Sequence, residues 1–301
     1  MDTKYDVIIV GGGPAGLSAA VYCRRALLRT LVVEKDYMGL GMIAAADRVE
    51  NYPGVPSVQG YDLAVTMHRQ AETLGAEFLE AHVEEIEPAK TGFLLKCRQH
   101  APLSARCVIY AAGASYRRLE VPGIEQMGVS YCATCDGAFY QGQEVAVIGG
   151  GDAAFDDALY LSGIASKVYL IHRSDTFRAN AAAQQRLAGR SNIECIRNAV
   201  VTRILGDARA EGLTYEQDGA EHRLMVKGIF SAIGRVPDTG IIRHREILDK
   251  DGYIRAGEDC ITAIPGFFAA GDVRTKRLRQ AITAAADGAN AAASAELFLR
   301  R

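Results

Sequence analysis

This 301-residue chain predicts an α/β fold in which two strand–glycine turn–helix–strand units alternate, with one domain set into the other. Three observations carry that reading. Near residue 5, and again near residue 145, an apolar β-branched run leads straight into a glycine cluster. Each cluster opens a stretch with helical spacing, followed by a second β-branched run. The length suits two ordinary domains.

The first unit reads "YDVIIV" as a buried strand, "GGGPAG" as the turn, "LSAAVYCRRALL" as the helix and "TLVVE" as the next strand. The second repeats the plan. "VAVIGGGDAA" gives strand and turn, "FDDALYLSG" a helix with Gly163 near its end, and "SKVYLIHR" a strand. Gly11, Gly13 and Gly16 satisfy G-x-G-x-x-G, and Gly149, Gly151 and Ala154 satisfy the variant ending in alanine. The first glycine permits the tight turn. The second lets a pyrophosphate approach the backbone, and the small third residue lets helix and strand pack closely. Free N–H groups at the helix start then face the phosphates. One such motif is weak evidence. Two, each between strand and helix, predict two Rossmann-like dinucleotide-binding domains.

At the end of the second strand of such a unit an acid binds a ribose hydroxyl. Glu34, 18 residues after Gly16, fills that place in the first unit. The same count from Ala154 reaches His172, with Arg173 and Arg178 close by. Exchanging acid for cations is the change expected where the ribose carries a 2′-phosphate. Farther on, "GFFAAGD" reads as a strand ending in Gly-Asp, and an Ala-rich helix follows from about Arg279. Its first N–H groups would face an electron-rich ring. The layout is discontinuous, with 1–113 and 246–301 forming one domain and 115–244 the other.

Composition excludes several classes. A net charge of −2 offers no basic surface for nucleic acid or an anionic membrane. The first apolar run, Val7 to Val10, is too short for a signal peptide, and no apolar window is long enough to span a bilayer, so a cytoplasmic setting is expected. Of seven cysteines, Cys23, Cys97, Cys107, Cys195 and Cys260 lie scattered in apolar or strand-like contexts and read as buried thiols. Cys132 and Cys135 form a C-x-x-C in "YCATCDG". Alone, the pair fits a redox disulfide or half of a zinc site, but there is no second C-x-x-C or spaced His pair to complete four ligands. No metal site is expected. Asp156 and Asp157 read as surface or domain-interface residues.

Taken in order, "GGGPAG", "VENYPG", "AAGA", "CATCDG", "GGGDAA", "HRSDTFRA", "IGRVPDT" and "AAGDV…RQA" resemble the low-molecular-weight thioredoxin reductases across essentially the whole chain. The resemblance implies FAD in the first domain, NADPH in the inserted domain, a homodimer, a thioredoxin-like partner, and rotation of one domain against the other between half-reactions. It implies catalytic roles for Cys132, Cys135 and Asp136: Cys135 nearest the flavin, Cys132 attacking the protein substrate, and Asp136 moving protons. FAD would be held by Gly11, Gly13, Pro14, Ala15, Gly16, Glu34, Lys35, Gly41, Met42, Asn51, Val83, Ala112, Gly113, Asp272, Arg279, Gln280 and Ala281. NADPH would be held by Gly149, Gly151, Asp152, Ala153, His172, Arg173, Ser174, Arg178, Ile233, Gly234 and Arg235.

Two departures stand out. Met42 occupies the place where the family usually has Gln, which removes a polar contact to the flavin. Ser174 replaces the second arginine of the family's His-Arg-Arg. A charged hydrogen bond is worth about 1.5–3 kcal/mol, so its loss predicts NADPH binding weaker by roughly 10- to 150-fold, with NADPH still preferred over NADH. Other readings are a relative that takes electrons from ferredoxin, an oxidase of small dithiols, or a flavin-bound redox sensor.

Overall fold

The computed structural model describes residues 4–35, 41–46 and 48–301. The chain divides into two compact units, 1–115 with 236–301, and 116–235.

In the first unit the strand Tyr5–Val10 lies between Thr30–Glu34 and Leu103–Tyr110, parallel to both. Glu77–Glu80 extends the sheet beyond Thr30–Glu34, and Phe267–Ala269 joins the second half of Leu103–Tyr110, both again parallel. The first half of that same strand carries an antiparallel hairpin, Gly92–Cys97 and Val83–Ala89. Period-two alternation sorts the apolar residues onto two faces. Ile8, Val10, Leu31 and Val33 enter one core, and Val7, Ile9 and Val32 the other. The helices Pro14–Arg25 and Ala281–Leu299 cover the second face. They approach so closely that a Cβ at Gly288 would stand 2.0 Å from the Ala15 carbonyl oxygen.

The second unit is built on a five-stranded parallel sheet with Glu144–Ile148 at its centre, between Lys167–Ile171 and Gly228–Ser231. Ile193–Ile196 and Val129–Ser130 form its edges. A three-stranded antiparallel sheet, Ala199–Leu205, Gly212–Gln217 and Ala220–Met225, packs its apolar side into the same core. The helices Asp152–Ser162 and Ala181–Ala188 cover the other face.

The second boundary between the compact units falls between Arg235 and Val236. The reason is packing. Ile242 and Ile247 are buried in the first unit's core, and the Tyr110 hydroxyl donates to the Asp238 carbonyl at 2.7 Å. Among the described residues no helix is long and apolar enough to cross a membrane.

Candidate functional site

In a parallel sheet every strand ends on the same edge, and ligands bind beyond the carboxyl ends. That rule gathers the first unit's candidate residues. Gly11 follows the strand Tyr5–Val10, Glu34 ends its neighbour, Ala112 and Gly113 follow Leu103–Tyr110, and Asp272 follows Phe267–Ala269. Gly11 has φ +111° and passes so near the next strand that a Cβ would meet the Ala111 carbonyl oxygen at 2.4 Å. A Cβ at Gly16 would stand 1.8 Å from the Gly11 carbonyl oxygen, so only glycine allows this helix–turn contact. Gly13 caps the helix without a side chain, Pro14 occupies its first turn beside Ala15, and no acid stands there. The first N–H groups therefore face outward, able to receive an anion. Glu34 bends over the turn, accepting from the Gly12 N–H at 2.8 Å and from the Lys35 N–H at 2.7 Å.

Other predicted residues converge on the same edge. Gly41 lies against Gly13, and Met42 beside it is half-exposed at the start of the short helix Met42–Ala45. Gly39 and Leu40, just before them, lie outside the described residues. Asn51 donates to the Gln280 side chain at 3.1 Å, joining two segments 229 residues apart. Gln280 caps the last helix ahead of Ala281, its N–H donating to the Thr283 hydroxyl at 3.1 Å. The Arg279 guanidinium lies 4.2 Å from the Tyr253 ring centre. Val83 is buried in the core beside Val10 and Val33. This cradle of helix N–H groups, close-packed glycines and an acid at the strand end has the chemistry to take the pyrophosphate and ribose of a dinucleotide.

The second unit repeats the device. Gly149 turns at φ +154°, with a would-be Cβ 2.5 Å from the Ala232 carbonyl oxygen, and Gly151 caps the following helix with open space around it. Ala153 is exposed in that helix's first turn, and Asp152 is tied off there, accepting from the Asn180 N–H and side-chain amide, each at 2.8 Å. Gly150, absent from the sequence-level candidates, takes the His172 ring. A Cβ there would stand 2.3 Å from the imidazole. The Arg178 N–H donates to the Gly150 carbonyl at 2.8 Å, knitting the basic loop to the turn. Arg173, Ser174 and Arg178 are exposed. His172 is buried, and its Nε2–H donates to the Thr176 carbonyl at 3.2 Å. Burial lowers its pKa, and nearby Arg178, Arg173 and Arg197 lower it further. Held between the Gly150 backbone and Thr176, the ring is a wedge that shapes the loop. Ile233 packs on the core, and Gly234 accepts from the Arg117 N–H at 2.9 Å. Arg235 stacks on Tyr116 with its Nη2–H donating to the phenol at 3.2 Å. Asp156 is exposed, whereas burial pushes the Asp157 carboxyl up to about 7, with Arg235 opposing the rise.

Cys132 and Cys135 are joined in a disulfide, their Cα atoms 5.3 Å apart. The four-residue helix Ala133–Asp136 folds the pair together, since the N–H groups of Cys135 and Asp136 both donate to the Cys132 carbonyl, at 3.2 and 3.1 Å. Sequence reasoning missed Ser130. Its buried hydroxyl donates to Asp136 Oδ2 at 2.6 Å and accepts from the Cys132 N–H at 3.0 Å. No spacing rule announces it. It is fixed by the short strand Val129–Ser130 pairing with Ile229–Phe230.

The remaining cysteines are thiols. Cys23, Cys97, Cys107 and Cys260 are buried and Cys195 half-buried. Burial pushes Cys23, Cys107 and Cys260 up to about 12 and raises Cys97 and Cys195, so all five are poor nucleophiles. Reactive sulfur is concentrated at the C-x-x-C.

Comparison with known proteins agrees with this geometry. The family model for pyridine nucleotide-disulphide oxidoreductases matches residues 5–288. A thioredoxin reductase of Listeria monocytogenes is 41% identical over 301 residues, covering 98% of this chain and 94% of its own. The crystal structure of the thioredoxin reductase of Streptococcus pyogenes is 37% identical and superposes with a TM-score of 0.92 over 98% of each chain. That of Lactococcus lactis, in its FR conformation, is 38% identical over 99% of each chain but superposes at 0.68. Near-equal identity with such different superposition shows that these relatives adopt more than one overall arrangement. The family works with FAD and a pyridine nucleotide. Full-length similarity and a closed disulfide at the C-x-x-C together place the chain in the pyridine nucleotide-disulphide oxidoreductase family, as a low-molecular-weight thioredoxin reductase.

Proposed function

We propose that NADPH is the electron donor, bound by the second unit, and that FAD is held by the first. The observation that supports NADPH is the loop at the end of the strand Lys167–Ile171. Beside His172, which takes the place of a ribose-binding acid, the chain sets Arg173 and Arg178, both exposed, and the Arg178 N–H tethers the loop to the glycine turn. FAD, when bound, supplies a carrier that accepts two electrons from the nicotinamide and passes them to the disulfide. Gly11 to Gly16 would hold its pyrophosphate, Glu34 its adenosine ribose, and the Asp272 and Arg279–Ala281 segments the rest.

Two electrons break the Cys132–Cys135 bond, and with two protons leave a dithiol. The Cys132 thiolate attacks the disulfide of thioredoxin, forming a mixed disulfide and releasing one thioredoxin sulfur. Cys135 then attacks Cys132 Sγ, which closes the resident disulfide again and releases reduced thioredoxin. Asp136, held by Ser130, would give and take the protons of these steps. Rotation of one domain against the other between half-reactions, a homodimer and a cytoplasmic setting complete the proposal.

Anaerobic mixing of the flavoprotein with NADPH, NADH and reduced ferredoxin in parallel tests the donor. NADPH should bleach the flavin fastest. Bleaching by ferredoxin alone would overturn the assignment and favour the ferredoxin-linked reading.

A further inference from the structure

The basic loop is one arginine short of the family pattern, because Ser174 stands where the second arginine would be. His172 does not make up the deficit, since its ring is buried and its Nε2–H is committed to Thr176. A third cation reaches the loop from the next strand. Ile171 pairs with Ile196, and the ladder continues past both strand ends. The His172 N–H donates to the Ile196 carbonyl at 2.8 Å, the Ala199 N–H to the His172 carbonyl at 3.0 Å, and the Asn198 N–H to the Ser174 carbonyl at 3.4 Å. Arg197 is thereby fixed alongside residues 172–174.

Its side chain has a defined seat. The guanidinium carbon lies 4.7 Å from the centre of the Phe177 ring. That ring is itself held between His172, stacked at 5.3 Å, and Phe155, edge-on at 4.8 Å. Stacking uses the face of a guanidinium and leaves its in-plane N–H fork available to an anion. Arg197 is exposed, and among the described residues neither it nor Arg173 or Arg178 makes an ion pair. Asp175 is the one acid between His172 and Arg178, and it opposes an anion. Two arginines against it leave a single net charge, whereas three leave two, matching a phosphate monoester that carries between one and two negative charges.

We propose that Arg197 is the third cation of the 2′-phosphate site, replacing from the neighbouring strand the arginine lost at position 174, and that it sets the preference for NADPH over NADH. The inference rests on the second unit binding NADPH. It revises the expectation of weak binding drawn from Ser174 alone.

Calorimetric binding of 2′-AMP and 5′-AMP to the holoenzyme tests it, with Arg197→Met and Arg197→Lys as variants. Wild type should prefer 2′-AMP. Arg197→Met should lose about tenfold in 2′-AMP affinity, as expected for one charged hydrogen bond, with 5′-AMP affinity unchanged. Arg197→Lys should recover part of the loss, and the KM for NADPH should rise in parallel while that for NADH stays constant. A wild type that prefers 2′-AMP together with an Arg197→Met variant that keeps the full preference overturns this inference alone, as does an equal loss for both nucleotides. A wild type with no preference overturns the NADPH assignment and this inference together.

Discussion

At Ser130 one hydroxyl serves the acid and the disulfide at once, donating to Asp136 and accepting from the Cys132 backbone. The contact ties Asp136, the proposed proton carrier, to the backbone of Cys132. Ser130→Ala should slow thioredoxin reduction about tenfold, the scale of one hydrogen bond to a charged group, while flavin reduction by NADPH keeps its rate. Equal slowing of both steps would mark Ser130 as a merely structural residue. The residues legible in the sequence were those whose identity is forced by local geometry. Gly16 is an example, since any Cβ there collides with the Gly11 carbonyl. Ser130 and Arg197 were not legible, because each acts through a strand pairing that brings distant residues together.

On the scale of elements, the last helix is anchored by a buried charge cluster. Asp287 accepts from Arg274 at 2.6 and 2.8 Å, from Lys276 at 2.8 Å and from the Gly271 N–H at 2.9 Å. All three side chains are under one-tenth exposed. This pins the segment carrying Asp272 against the helix that begins at Ala281, so the two parts of the proposed flavin seat share one support. Removing the carboxylate leaves two buried cations without their counter-charge. Asp287→Ala should cost about 3–5 kcal/mol in urea unfolding of the holoenzyme. A change within about 0.5 kcal/mol, typical of surface substitutions, would show that the cluster carries no structural weight. The sequence shows the Gly-Asp strand end and the Ala-rich helix. It does not show that an aspartate seven residues into that helix faces inward, because its partners come from the preceding loop.

For the whole molecule, repetition made the architecture readable. Two glycine turns in the same strand–helix context announce two sheets, and the parallel pairing of each sheet carries its functional residues to one edge. The boundary at residue 236 lies inside "IGRVPDTG", whose second half belongs to the first unit and leads into Ile242 and Ile247 of its core. Electrons reach thioredoxin through the Cys132–Cys135 disulfide. Stopped-flow mixing of NADPH and thioredoxin with the wild type and with Cys132→Ser tests it most directly, with flavin bleaching and thioredoxin reduction followed together. The variant should still bleach with NADPH but reduce thioredoxin no faster than background. Thioredoxin reduction by Cys132→Ser at the wild-type rate would contradict it.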